Sequence, residues 1–261
     1  MLELYHWEPN GLFLKPLIAL HEKETAFTSH YFDAGKLEQL ADDFPTNAEA
    51  FLNLEREGPL LVAPGTVISS TFFMLEYIND ALPGIDLKPG TAYQRYRMQA
   101  WGQKTALMVA PAVCALGSAT YLAKTLTASE AAAVRSSIEG IEPVERRELW
   151  LAVIDDRYGT TALQSMRDRL RAPVASMEQT LCTSRWLAGD QYSVADIDAY
   201  AMLKPLPSLA PDVVNEKATP AITDFLATMH DRPAVRKAMA MARTDHPEKC
   251  FVPGCEASRW G

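Results

Sequence analysis

The amino-acid sequence predicts an α/β domain over residues 1–85, an all-helical domain over 92–245 and a tail at 246–261. Three observations carry that prediction. Up to Gly84, short strand-like and helix-like stretches alternate. A linker with Pro89 and Gly90 follows. Beyond residue 92, apolar side chains recur only at helical spacing.

Residues 2–7 (Leu-Glu-Leu-Tyr-His-Trp) alternate apolar and polar side chains and break at Pro9-Asn10-Gly11, the pattern of a half-buried strand entering a loop. Leu14, Leu17, Ile18 and His21 share one face of a helix over 12–23, with Pro16 near its start, where a missing N–H costs little. Residues 26–32, rich in β-branched and aromatic side chains, read as a second strand, and 36–52 as a segment with another short helix. Gly58-Pro59 leads into 60–63, a turn at Pro64-Gly65 and 66–68, which together predict a hairpin. Ser69-Ser70-Thr71 open a helix with Met74, Tyr77, Ile78 and Leu82 on one face, stopped by Pro83-Gly84. The order is β-α-β-α-β-β-α. Helices are then expected near 92–124, 128–139, 143–157, 161–182, 193–204, 220–230 and 233–243, with no internal repeat.

A chain of 261 residues, 48% of them hydrophobic, has ample material for a core. Its net charge of −8 argues against nucleic acid or an anionic membrane as partner and favours a small molecule of little charge. No basic stretch precedes an apolar one at the N-terminus, and no run of about 18 apolar residues occurs, so a cytoplasmic location is expected. Cys114, Cys182, Cys250 and Cys255 lack metal-ligand spacing, so no metal is expected; they read as reduced thiols, with a local Cys250–Cys255 disulfide as the lesser alternative.

Three features, in this order along the chain, resemble the glutathione transferase superfamily. Gly58-Pro59 before the hairpin is similar to the X-Pro step that this family holds in the cis form. Ser70-Thr71 stands where the family has an acid or amide followed by Ser. Tyr192-Ser193-Val194-Ala195-Asp196-Ile197, preceded by Trp186-Leu187-Ala188-Gly189-Asp190, resembles the family's buried capping box, in which Ser193 and Asp196 satisfy each other's orphan donors. The resemblance implies a thioredoxin-like N-terminal domain plus an all-α C-terminal domain. It also implies glutathione as co-substrate: the backbone of Gly58 and Pro59 meets its cysteinyl part, and Ser70, Thr71 and the helix N-terminus hold its γ-glutamyl end. Ser70 lacks the acid that would face the γ-glutamyl ammonium.

Within the superfamily the chain is similar to bacterial β-etherases, which use glutathione to cleave β-aryl ethers of lignin-derived aromatics. Leu14-Lys15-Pro16-Leu17, Val213 to Pro220 and Arg232-Pro233-Ala234 carry this likeness. The chemistry implied is attack of a glutathione thiolate on the ether-bearing carbon beside a carbonyl, with loss of a phenolate, and it needs a hydrogen-bond donor aimed at sulfur. The positions where a Ser or Cys donor is expected hold Leu12 and Phe13. Asn10 or His6 is the substitute side chain, and backbone N–H groups at the helix start are a further source; Tyr5 reads as a core residue. Trp7, Phe13, Tyr93, Trp101 and Met108 are candidate walls of an aromatic-substrate pocket, although residues of these types at helical spacing are more often core. Phe72, Phe73, Tyr93 and Arg97 are interface candidates for a homodimer or for a heterodimer with a related transferase-fold subunit. The alternative to a catalytic chain is a non-catalytic subunit or binding protein of the same fold.

Overall fold

The computed structural model describes residues 1–41, 44–45, 58–141 and 144–254. Strand β1 (Glu3–His6) lies between β2 (Thr28–Tyr31), its parallel partner, and β3 (Leu60–Ala63), which runs antiparallel to it. Strand β4 (Thr66–Ile68) completes a hairpin with β3, giving a four-stranded sheet in the order β2-β1-β3-β4. The parallel β1–β2 pair requires a crossover, and helix α1 (Gly11–Glu22) supplies it. Helix α2 (Thr71–Ala81) follows the hairpin and packs on α1.

The remainder is helical among the described residues: α3 (Ala92–Lys104), α4 (Ala110–Thr125), α5 (Ala128–Ile138), α6 (Val144–Ile154), α7 (Thr160–Leu181), α8 (Val194–Leu203), α9 (Leu206–Leu209), α10 (Pro220–His230) and α11 (Pro233–Met239). The chain thus has a thioredoxin-like N-terminal part and an all-helical part.

Two helices form the junction. Residues Gly11 to Leu20 of α1 are buried without exception, because α2 flanks the helix within its own part while α8 and α11 cover it from the other. Every residue of α8 is buried too, as expected for a helix apolar on nearly all sides. Side chains such as Leu14, Leu17, Ile18, Ile197 and Leu203 are fully enclosed, each contributing roughly 1.5–3 kcal/mol through burial.

Polar contacts fix the register of this junction. The Lys15 ammonium meets Asp198 of α8 at 2.6 Å in a site where both are nearly excluded from water. Arg232 donates to both oxygens of Glu22, at 2.6 and 2.9 Å, while its guanidinium stacks 3.7 Å above the Tyr192 ring. Buried Lys23 donates to the Asn79 and Ile85 carbonyls and so ties the end of α1 to the end of α2.

Several expectations are corrected. The helix expected over 92–124 is interrupted by a π turn at Thr105–Val109. Pro111 explains it: the ring has no N–H to return to Leu107, and the ladder shifts by one residue around the gap. Pro16 lies inside α1 rather than in its first turn, so the carbonyl of Leu12 loses its ladder partner. The short α9 was not expected. The segment 36–52 shows two 3₁₀ turns, Ala34–Lys36 and Glu38–Leu40, and the rest of that expected helix falls largely outside the described residues.

No cis peptide bond occurs among the described residues, so Gly58-Pro59 is trans. Trans is the favoured X-Pro isomer, and Gly58, at φ 83°, makes the bend into β3 through its own backbone freedom. Nor are all the thiols reduced. Cys114 is disulfide-bonded, whereas Cys182 and Cys250 are free, which excludes the local Cys250–Cys255 pair. One helical run, Ala92–Leu122, is long and apolar enough to cross a membrane, and its most apolar 18-residue stretch is 61% buried inside the molecule.

Candidate functional site

Strand register brings the candidate residues to one edge of the sheet. Tyr5 pairs with Leu60 and Leu61 with Ile68, so the end of β1, the start of β3 and the end of β4 coincide. The loop Trp7–Asn10, the Gly58-Pro59 bend and the Ser69–Thr71 turn therefore lie side by side. The N-termini of α1 and α2 both open there, presenting backbone N–H groups and the positive ends of two helices.

Ser70 is the strained residue of this edge. It holds φ 69° and ψ 113°, caps α2 without a side-chain bond, and is almost fully buried. A non-glycine residue in this region costs about 1–3 kcal/mol and persists where its surroundings dictate it, which happens disproportionately at ligand clamps. Thr71 beside it is buried as well, and Gly58 and Pro59 line the same edge without open exposure.

The two candidate donors differ. His6 is enclosed and both its nitrogens are engaged: Nδ1 lies 2.6 Å from the Trp7 carbonyl and Nε2 lies 2.7 Å from Ser29 Oγ. A carbonyl only accepts, so Nδ1 carries the hydrogen and Nε2 accepts from the serine. Burial lowers the pKa of His6, keeping the ring neutral. Asn10, the residue before α1, directs its amide away from the helix and donates to the carbonyls of Cys250 at 3.1 Å and Glu248 at 3.5 Å; its Oδ1 is buried without a partner.

Leu12 and Phe13 belong to the core, not to open space. The Phe13 ring meets Trp7 and Phe32 edge-on, each at 5.9 Å between centroids. The five residues expected to wall one pocket sit in different surroundings, and Tyr93 is exposed. Trp7 and Phe13 are packed, Trp101 is half-buried beneath Lys104, and Met108 is exposed in the π turn. Met108 does line a recess of about 180 Å³ with Leu107, Pro111, Ala112 and Arg169. Tyr5 stacks on His30 at 4.3 Å as a partly buried packing residue.

Ser193 and Asp196 form a capping box, and the fully buried Asp196 carboxylate accepts from the N–H groups of Ser193 and Leu187 and from Ser193 Oγ. Desolvation raises its pKa to about 7. The cap holds the start of α8, and α8 in turn holds Lys15 of α1.

Glu8 escaped notice in the sequence. It is wholly buried and accepts from Tyr31 Oη at 2.8 Å and from the Arg243 backbone N–H at 3.1 Å; the Arg243 guanidinium lies 4.4 Å from the Tyr31 ring. Burial and the Glu8 bond push the Tyr31 phenol well above its usual range, so it stays a donor. A carboxylate between Trp7 and Pro9 in the loop was visible, but its partner lies 235 residues away. Cys250 sits in the same cluster, its thiol pushed up to about 12 chiefly by burial.

Comparison with known proteins fits this arrangement. Residues 142–233 match the glutathione S-transferase C-terminal domain. Protein LigF of Sphingobium sp. strain SYK-6 is 25% identical over 249 residues, covering 94% of this chain and 95% of LigF. The crystal structure of that protein, described as a β-etherase, superposes with a TM-score of 0.81 over 92% of this chain and 99% of LigF. A glutathione transferase of Burkholderia graminis, solved with two glutathione molecules per subunit, shares 21% identity and a TM-score of 0.68, covering 93% of this chain and 88% of its own. A family member from Pseudomonas fluorescens pf-5 with two glutathiones bound shares 17% identity and a TM-score of 0.66, over 91% and 92% of the two chains.

Proposed function

We propose, from the premise that the chain belongs to the glutathione transferase superfamily, that it takes part in glutathione-dependent cleavage of β-aryl ethers in lignin-derived aromatics. The observation that carries this reading is the end-to-end similarity to LigF in sequence and in structure. In this reading the protein is cytoplasmic and acts as one subunit of a dimer, with itself or with a related chain.

Glutathione is the co-substrate. Its cysteinyl part runs along the backbone of Gly58 and Pro59, and its γ-glutamyl end lies at Ser70, Thr71 and the start of α2, where the helix N–H groups receive a carboxylate. The sulfur approaches the start of α1. Asn10 fits the donor role better than His6, because its amide is held only by the Glu248 and Cys250 carbonyls of the C-terminal segment, whereas both His6 nitrogens are fixed by Trp7 and Ser29 of the sheet domain. The thiol loses its proton to solvent, and the thiolate attacks the ether-bearing carbon. A C–S bond forms as the C–O bond breaks, and the departing phenolate takes a proton from solvent.

Incubating the purified chain with glutathione and a β-aryl ether ketone tests this, alone and with a co-expressed homologue, with chromatography following the phenol and the glutathione thioether. Both products in either arm support the proposal. Absence of products in both arms overturns it, and glutathione binding without turnover would assign the chain a non-catalytic place in such a dimer.

A further inference from the structure

We infer that residues 243–254 are a strap that closes the sulfur-binding end of the site, so that glutathione gains access only when the strap lifts. This rests on the reading above that glutathione sulfur binds at the start of α1.

The strap begins just after α11 and crosses the sheet edge. Arg243 N–H docks on the buried Glu8 carboxylate. The carbonyls of Glu248 and Cys250 then take the Asn10 amide, the group a thiolate would need. Residues 251–254 turn into the helical part and are buried, although 243–246 are exposed.

The seat for this second half is shaped for it. Phe251 lies flat against α4 at Gly117, where any Cβ would overlap the ring, and stacks on Tyr121 at 6.2 Å one turn further along. Gly254, at φ 79°, passes against the Arg146 guanidinium so closely that a side chain there would collide with it. Two separate close approaches, Phe251 on Gly117 of α4 and Gly254 beside Arg146 of α6, seat this half of the strap on the helical part.

The closure is also imperfect where it covers the site. Asn10 Oδ1 is buried with no partner, a loss of roughly 1–3 kcal/mol that a ligand or water restores once the strap moves. A strap anchored at Phe251 but frustrated at Asn10 is poised to open from its middle. Apparent glutathione affinity then equals the intrinsic affinity reduced by the open fraction.

Two full-length variants test this. Phe251→Ala removes the ring that packs the strap on α4. Gly117→Ala leaves Phe251 intact but fills its seat, and it replaces a helical glycine with a better helix former, so α4 is not weakened. Calorimetry reads glutathione affinity, and amide hydrogen exchange reads the cover over Gly11, Leu12 and Phe13. Both variants are expected to exchange at these amides, and to bind glutathione, about tenfold faster and tighter than the parent, as a shift from roughly 10% open to mostly open requires. Amides of α10 should be unchanged. Unaltered exchange at the start of α1 in both variants overturns the strap, as does faster exchange with unaltered, measurable glutathione affinity. Faster exchange while neither parent nor variants bind glutathione leaves the strap standing and overturns the glutathione reading instead.

Discussion

Asn10, Ser70 and Asp196 carry the residue-scale consequences. If Asn10 steers the sulfur, Asn10→Ala should lower kcat for phenol release about 10²-fold, the loss typical of one preorganised donor, with a smaller change in glutathione binding. Ser70→Gly should relieve the left-handed strain and raise thermal stability by about 1 kcal/mol, read by calorimetric melting, while loosening the turn that receives the γ-glutamyl end. Asp196 gives a pH signature. With its pKa raised to about 7 by burial, the folded chain holds a proton that the unfolded chain has released above about pH 4. Stability from this group therefore falls as pH rises from about 4 to about 7 and is level beyond; Asp196→Asn should flatten that slope in melting curves. Ser70 and Asp196 were legible as a helix start and a capping box because both follow local rules. The missing donor at Leu12 and Phe13 was equally legible as an absence. Glu8 was not, because a buried carboxylate is recognised by its partners, and these come from β2 and from beyond α11.

Between elements, the buried Lys15–Asp198 pair pins α1 to α8. Lys15→Met should cost about 3–5 kcal/mol in chemical denaturation, since it strands a carboxylate in the core, whereas pairing it with Asp198→Leu should restore much of the loss. Helices such as α7 and α10 were readable from periodicity alone. The π turn was not, although its cause, Pro111, is in plain view: sequence shows that a ladder bond is missing but not how the helix closes around the gap. The trans Gly58-Pro59 bond teaches a related lesson. A glycine can make a bend by its own φ, so the dipeptide alone leaves the peptide isomer open.

The whole molecule presents an aromatic face at α2 and α3. Phe73, Tyr93 and Tyr96 are more than half exposed, at 56%, 68% and 65%, and Phe72 packs in beside Gly102. In the proposed dimer this patch is the contact surface. Phe73→Glu with Tyr93→Glu should shift sedimentation from dimer to monomer with little change in melting temperature. The two-part architecture was evident from the order of strands and helices, whereas the course of the last described residues was not, because no periodicity announces a contact with the opposite end of the chain. The bonds from Arg243 to Glu8 and from Cys250 to Asn10 span 235 and 240 residues. Contacts that distant close late in folding, since most of the intervening chain must be ordered before the ends can meet. The sheet edge is therefore expected to be complete and uncovered before the molecule is finished, and the same segment should be the first to come away when it is stressed.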